Sequence, residues 1–156
     1  MTGFNLEELS ALGPTEVARI LKRTPATTLA TLMRSEQRHD ILNTIFAAMP
    51  LLFRPDRAGS TTAVMHWYLT GRPQGGTDVY QLVIEDGACT TAPLTGADDE
   101  TAREPRLTVT IGAVEFLQLI SGASNPTMMF MMGKIKAKGD LALAASFANL
   151  FDMPKG

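Results

Sequence analysis

The chain has 156 residues, of which 45% are hydrophobic and 19% are charged, and its formal net charge at pH 7 is −2. This length favours one domain with a full core, and the ordinary apolar content excludes global disorder. A pI of about 5.6 gives no basic field, so nucleic acid is not expected as a partner. Nine methionines accompany an aromatic content of only 6%, and the mean hydropathy is +0.05.

The sequence predicts a cytoplasmic protein. Cys89 is the only cysteine and cannot form an internal disulfide, which fits a reducing compartment. The N-terminus has no basic segment followed by an apolar run, as a signal peptide would have. No apolar stretch approaches the length of a membrane-spanning helix.

The first third of the chain predicts three helices. The first begins at Pro14, and Thr24 followed by Pro25 predicts that the second begins with Thr24 as its N-cap. The third is expected to start near Ser35 and to end at Pro50. The apolar residues with helical spacing are Val17, Ile20 and Leu21 in the first helix, Leu29, Leu32 and Met33 in the second, and Ile41, Leu42, Ile45, Phe46 and Met49 in the third.

After residue 60 the apolar period changes to two, which predicts strands. Asp86 followed by Gly87 is a tight-turn signal. The alternation is typical of an antiparallel sheet with one buried face, and His66, which alternates away from Met65 and Trp67, is expected on the less buried face. The predicted strands are 63–70, 78–86, 106–111 and 134–138, with a weaker one at 89–94.

Helices return near the end of the chain. A mostly buried helix is predicted around Phe116, and Pro126 begins a methionine-rich run over 128–132. Asp140 is a good N-cap for a terminal helix. The inner stripe of that helix is Leu143, Phe147, Leu150 and Phe151. Together these elements predict one α+β domain.

Motifs for catalysis, cofactors and metals are absent from the sequence, so no catalytic residue, cofactor or metal site is predicted. The chain has no Gly-x-Ser-x-Gly, no phosphate-binding glycine loop and no spaced set of metal ligands. A small enzyme acting on an apolar metabolite remains an alternative. It would require His66, Tyr68, Tyr80 or Cys89 to converge in a cavity.

The methionine run and the lysines that follow it each allow two interpretations. Methionine suits a surface that adapts to variable apolar partners, but it also fills gaps in ordinary cores. Lys134, Lys136 and Lys138 lie on one face of a predicted strand. They fit a solvated or protected sheet edge, or transient docking to anionic lipid headgroups at a membrane surface.

The C-terminal half resembles the sterol carrier protein 2 family. The residues that carry the resemblance are Glu104 to Ile111, Phe116 to Gly122, Asn125-Pro126 and Phe130 to Asp140, of which Gly-Lys-x-x-x-x-Gly-Asp at 133–140 is the most specific part. The order of elements from about Arg38 to Phe151 also fits. The chain looks like a bacterial-type stand-alone member with an N-terminal helical extension.

The resemblance implies a five-stranded, mostly antiparallel sheet covered on one face by helices, with an apolar tunnel between them. It implies non-enzymatic binding or transfer of a fatty acid, acyl-CoA, sterol or another apolar small molecule. The residues expected to line the tunnel are Trp67, Phe116, Ile120, Met128, Met129, Met131, Met132, Leu143, Phe147, Leu150 and Phe151.

The domain division expected from the resemblance is a helical extension over 1–35 and a lipid-binding domain over 36–156, in one compact unit. An alternative function is an interaction module that presents or shields an apolar substrate for a partner enzyme. In that alternative the apolar stripes of the extension would mediate a homodimer.

Overall fold

The structure is a computed structural model that describes residues 14–72, 75–94, 100, 102–121, 124, 126–146 and 150. Within these residues, four helices precede the sheet: α1 (Pro14–Arg23), α2 (Ala26–Met33), α3 (Arg38–Leu52) and α4 (Pro55–Ala58). The five strands are β1 (Ala63–Thr70), β2 (Asp78–Glu85), β3 (Ala88–Leu94), β4 (Leu107–Gly112) and β5 (Ile135–Gly139). Helix α5 (Ala113–Ile120) and helix α6 (Pro126–Met131) separate β4 from β5, and α7 (Leu141–Ser146) follows β5.

The predicted cap between the first two helices is wrong by one residue. Pro25 occupies the N-cap of α2, with φ −60° and ψ 148°. Thr24 instead donates its hydroxyl to the Ile20 carbonyl, 2.7 Å away, and so serves the end of α1. The third helix likewise starts at Arg38 rather than near Ser35.

The prediction that Pro50 ends the third helix is also wrong, because α3 continues to Leu52. A proline inside a helix has no N–H for the carbonyl four residues earlier, here that of Phe46. The Thr91 hydroxyl on β3 donates to that carbonyl at 2.6 Å. The contact from the sheet therefore satisfies the group that the proline leaves without its helical partner.

The sheet has the order β3-β2-β1-β4-β5. All neighbours are antiparallel except β1 and β4, which are parallel. The prediction of an α+β fold with a five-stranded, mostly antiparallel sheet is confirmed. The predicted turn between β2 and β3 fits as well, because Asp86 and Gly87 have φ values of 53° and 73°.

One face of the sheet carries the core. The register aligns Met65, Trp67 and Leu69 of β1 with buried residues of β2 and β4. Helices α3 and α5 lie over this face, and α1 and α2 pack on those two helices. The apolar stripes of α1 and α2 are buried inside the chain through Leu21, Leu29 and Met33.

His66 lies on the opposite face, which is the less buried face as predicted, because Tyr68 beside it is 36% exposed; His66 itself is nevertheless only 7% exposed. The connection from β3 to β4 runs from one edge of the sheet to the far side of β1. Along it, the Arg103 backbone N–H donates to Gln81 Oε1 at 2.7 Å, and that oxygen lies 3.0 Å from His66 Nε2. The connection therefore contacts Gln81, the hydrogen-bond partner of His66, and alternation alone does not reveal this contact.

Candidate functional site

An aromatic cluster fills the space between the sheet and helices α3 and α5. Phe46 stacks on Tyr80 with ring centroids 4.1 Å apart and on Phe116 with centroids 5.0 Å apart. Trp67 meets Phe116 at 5.6 Å in a tilted arrangement. Trp67 and Phe116, two of the predicted lining residues, therefore belong to a tightly packed part of the core.

The candidate site lies beside this cluster, over β4 and β5. Leu107, Val109 and Ile111 of β4 are buried on the inner face of the sheet. Their partners on β5 are smaller or less covered: Val109 pairs with Ala137, and Ile111 with Ile135, both partly buried. The sheet is thus lined by small or partly buried residues where the C-terminal helices approach it.

The predicted lining residues divide into two groups. Met129 of α6, Leu143 of α7, and Ile120 and Leu150 are buried in the same core as Trp67 and Phe116. In contrast, Met128, Met131 and Met132 are 56%, 77% and 63% exposed. Phe147 and Phe151 lie outside the described residues.

The methionine run divides in this way because a short helix has one inward position per turn. Within 128–132, Met129 faces the core, and the exposed residues include Phe130. Helix α6 ends at Met131, and the turn that follows it contains Gly133, whose φ of 76° suits glycine. The Lys134 N–H then donates to the Met129 carbonyl at 2.9 Å, so the helix runs directly into β5.

The second glycine of the motif allows close contact between β5 and β4. Gly139 has a φ of 114°, and a Cβ at this position would lie 2.5 Å from the Arg106 carbonyl oxygen. The next N–H, that of Asp140, donates to the same oxygen at 3.0 Å. Only glycine allows the backbone at position 139 to lie this close to Arg106. This contact explains why the motif has a glycine at this position.

Asp140 fixes the start of α7, as the sequence predicted. Its Oδ1 accepts from the Leu143 N–H at 3.0 Å, and its Oδ2 accepts from Arg106 Nε at 2.7 Å. The hydrogen bond from the Leu143 backbone, and then that from Arg106, lower the pKa of Asp140. This cap sets the direction in which α7 leaves β5 and thereby places Leu143 in the core.

Lys136 and Lys138 lie on β5, the outermost strand on this side of the sheet, and Lys134 directly precedes this strand. Lys136 pairs with Thr110 and Lys138 with Thr108, while Ile135 and Ala137 alternate toward the core. All three lysine side chains are exposed. This position agrees with the sheet-edge interpretation and leaves the lipid-headgroup interpretation open.

The candidate acid–base groups do not share one face of the sheet. Strand alternation and register put His66 and Tyr68 on one face and Tyr80 and Cys89 on the other. Burial raises the pKa of Tyr80, whose hydroxyl donates to Asn43. Burial also raises the pKa of Cys89 to about 12, so neither group is activated as a base or nucleophile near neutral pH.

A polar cluster that sequence reasoning missed joins α3 to the ends of β1 and β2. Arg38 is buried and donates to Asp78 Oδ2 at 2.7 Å, to the Met33 carbonyl at 3.2 Å and to the Leu69 carbonyl at 2.9 Å. Burial would raise the pKa of Asp78, but the hydrogen bonds from Arg72 and Arg38 lower it. A flanking polar cleft of about 200 Å³ is lined by Ser35, Glu36, Arg38, His39, Arg72, Gly75 and Asp78.

The burial of Arg38 could not be predicted from the sequence, because the residue stands in a run of polar residues that is typical of a solvent-exposed segment. Its donors are taken up by protein acceptors, so we assign the cluster a structural role. Across the described residues, no group of three or more His, Cys, Asp or Glu side chains is placed to hold a metal ion. Nor is any described helix long and apolar enough to cross a membrane.

The fold resembles those of several solved structures. Sterol carrier protein 2 like 2 from Aedes aegypti has a TM-score of 0.53 and 18% identity, over 74% of this chain and 96% of that one. The sec-alkylsulfatase Pisa1 from a Pseudomonas species has a TM-score of 0.58 and 15% identity, over 73% of this chain but 17% of that one. Identities this low show a shared fold only.

Curated relatives include hydroxysteroid dehydrogenase-like protein 2 from Bos taurus, 30% identical over 97 residues. The protein of the same name from Xenopus tropicalis is 27% identical over 103 residues. These matches cover 62% and 66% of this chain but only 21% and 23% of the relatives. The chain thus corresponds to a minor part of each relative.

The family model described as the SCP-2 sterol transfer family matches residues 42–152. The matched region contains the sheet, α5 to α7 and the glycine–aspartate motif whose geometry is described above. The match covers well over half of the chain, and the chain therefore belongs to the SCP-2 sterol transfer family.

Proposed function

We propose that this protein binds an apolar lipid, and carries or presents it, between β4–β5 and the C-terminal helices without catalysing a reaction. The observation that supports the proposal is the burial of two apolar side chains, Met129 and Leu143, on the two helices that pack against β5, a strand whose inward residues are small or half-buried. In a member of the SCP-2 sterol transfer family, an apolar surface of this kind suits a hydrophobic ligand.

The proposed lining has an inner and an outer part. Ile120, Met129, Leu143 and Leu150 form the inner wall, with the aromatic cluster of Trp67 and Phe116 as its closed end. The exposed Met128, Met131 and Met132 stand at its mouth, and Phe147 and Phe151 complete it in the proposal. Such a site needs no charged group, because each buried methylene of a ligand contributes about 0.8 kcal/mol.

A fatty acid is the first ligand class to test. One Aedes aegypti neighbour, with a TM-score of 0.52 and 23% identity, is described as palmitated SCP2L2. Sterols, acyl-CoA and polyprenyl compounds belong in the same series, because nothing in an apolar wall selects among them by charge. We further propose a cytoplasmic location.

The experiment combines native mass spectrometry of the purified protein with displacement of a fluorescent fatty acid. We expect either a copurified lipid or displacement by at least one class of competitor. If no lipid copurifies and acyl, sterol and polyprenyl competitors all fail to displace the probe, the proposal is wrong.

A pair of variants tests the location of the site. Ala137→Leu adds bulk to the inner face of β5, and we expect it to weaken long acyl chains more than short ones. Ala92→Leu makes the same change on β3, where the register turns the side chain to the other face, and should leave binding unchanged. Equal losses in both variants would place the ligand elsewhere.

The alternative of an interaction module is not favoured. Its motivation was the apolar stripes of the N-terminal helices, and their residues Leu21, Leu29 and Met33 are covered within the chain itself.

A further inference from the structure

The methionines of the described residues fall into two groups by exposure. Met128, Met131 and Met132 are 56%, 77% and 63% exposed. The others lie in the core and are at most 3% exposed; they are Met33, Met49, Met65 and Met129. Within the described residues, the thioethers that solvent reaches are therefore confined to one short segment, 128–132.

The three exposed methionines share the outer face of α6 and of the turn that follows it. Positions 128, 131 and 132 are related as i, i+3 and i+4, which is the spacing of neighbours on one helical face. The Met132 N–H donates to the Met128 carbonyl at 2.9 Å, so the helical spacing continues through Met132. Met129 is buried on the inner side. This segment thus presents three sulfur atoms to solvent and shields a fourth.

The position of α6 depends on groups that oxidation of the outer face does not change. The Met129 side chain is buried in the core, and the Met129 carbonyl accepts from the Lys134 N–H at 2.9 Å. A sulfoxide oxygen on an outward side chain is hydrated, whereas one on Met129 would be a buried polar group, which costs stability. The fold therefore tolerates oxidation on the outer face and opposes it at Met129.

We propose that Met128, Met131 and Met132 form a site of reversible oxidation by hydroperoxides. The thioether sulfur takes the terminal oxygen of the hydroperoxide as the O–O bond breaks, and the hydrogen of that hydroxyl passes to the leaving oxygen. The sulfur loses two electrons and becomes a sulfoxide, while the peroxide gains them and leaves as an alcohol, or as water from hydrogen peroxide. Sulfoxide reductases reverse the change. Each sulfoxide makes the apolar outer face of α6 more polar.

One consequence rests on the proposed function. The three side chains stand at the mouth of the proposed ligand site, so their oxidation places polar groups where an apolar chain enters. We expect oxidation at this site to weaken the binding of a long-chain fatty acid about fivefold.

Oxidation of the full chain by hydrogen peroxide, mapped by mass spectrometry of its peptides, tests the site. We expect Met128, Met131 and Met132 each to gain one oxygen at least about tenfold faster than Met129, because susceptibility follows exposure. In urea, all four should react at similar rates. If native Met129 reacts as fast as Met131, or if the native and urea patterns are the same, the inference is overturned. Further buried references are Met33, Met49 and Met65.

Two further measurements test whether the modification is tolerated and reversible. After oxidation of the three sites, the midpoint of urea unfolding should be unchanged, and retention on a hydrophobic column should fall. Sulfoxide reductases for both epimers should restore the retention. The variant M128L/M131L/M132L keeps an apolar face without sulfur, so peroxide should not change its retention. Unfolding of the oxidised protein, or an equal loss of retention in this variant, would contradict the proposal.

Displacement of a fluorescent fatty acid, before and after peroxide treatment, tests the consequence for the ligand. M49L replaces a buried methionine of α3, and its affinity should fall on oxidation as that of the parent does, while M128L/M131L/M132L should not respond. A parent protein that binds no fatty acid would overturn the proposed function and this consequence, while the peptide map still decides the oxidation site. An oxidised parent that binds as tightly as the untreated protein would overturn the consequence alone.

Discussion

We expect the Thr91 hydroxyl to contribute to the stability of the fold because residue 50 is a proline, which cannot donate a helical hydrogen bond to the Phe46 carbonyl. The Phe46 carbonyl lies in the helix interior, accepts from Thr91 at 2.6 Å and has no N–H available four residues later. Thr91→Val keeps the shape of the side chain but removes the donor. A buried carbonyl left without a partner costs about 1–3 kcal/mol, so we expect that loss in the free energy of unfolding.

The second background is Pro50→Ala, which restores the missing helical donor. In that variant the backbone N–H gained at position 50 can reach the Phe46 carbonyl, and Thr91→Val should cost at most about 0.5 kcal/mol. The double-mutant cycle therefore predicts a coupling of about 0.5–3 kcal/mol. Urea unfolding followed by far-ultraviolet circular dichroism measures all four proteins. Thr90→Val, exposed on the same strand, is the control and should be near neutral. An equal cost of Thr91→Val in both backgrounds would refute the reasoning.

Four other predictions concern stability and reactivity. Arg38→Met leaves the buried Asp78 carboxylate with only the half-exposed Arg72 as an ion-pair partner among the described residues. We expect this change to lower the free energy of unfolding by about 3–5 kcal/mol. A loss below about 1 kcal/mol in urea unfolding would contradict this expectation. Since the pKa of Asp78 is lowered, its contribution should be present above about pH 4 and lost as pH falls further. Gly139→Ala should lower the free energy of unfolding, measured by thermal unfolding, by about 2–4 kcal/mol. Gly133→Ala, where a Cβ would meet open space, should lower it by only about 1–2 kcal/mol. Equal losses would show that the close contact between Gly139 and Arg106 does not matter for stability. Near pH 8, a thiol reagent should modify Cys89 roughly 1,000-fold more slowly in the native protein than in urea, because a thiolate pKa of about 12 leaves little reactive form; a difference below tenfold would show that the native thiol is accessible and ionised.

The strands were predictable because alternation with a period of two survives in every strand that packs one face on a core. The bounds of β1, for example, follow directly from the alternation of 63–70. The end of α3 was not predictable, because the hydroxyl that satisfies the Phe46 carbonyl comes from β3, far along the chain. The burial of His66 escaped prediction for the same kind of reason, since a distant connection contacts its hydrogen-bond partner Gln81.

The turn from β5 into α7 was predictable from the sequence, but the directions of the methionine side chains before β5 were not. The glycine–aspartate motif located the turn into α7, and the structure adds why Gly139 and Asp140 are needed there. The direction of each methionine depends on where α6 ends, which Gly133 and its neighbours determine through local hydrogen bonds. Periodicity over so short a helix cannot separate the inward Met129 from the outward Met131.

The parallel pairing of β1 with β4 has a consequence for synthesis on the ribosome. β1 ends at Thr70, but the strand that pairs with its second edge begins only at Leu107. Once β3 has been translated, the first three strands can form a meander in which the second edge of β1 stays open until β4 emerges. Unpaired edges of this kind invite association between nascent chains, and contacts between distant residues form slowly. The interval before β4 emerges is therefore when the nascent chain is most exposed to association through the open edge of β1.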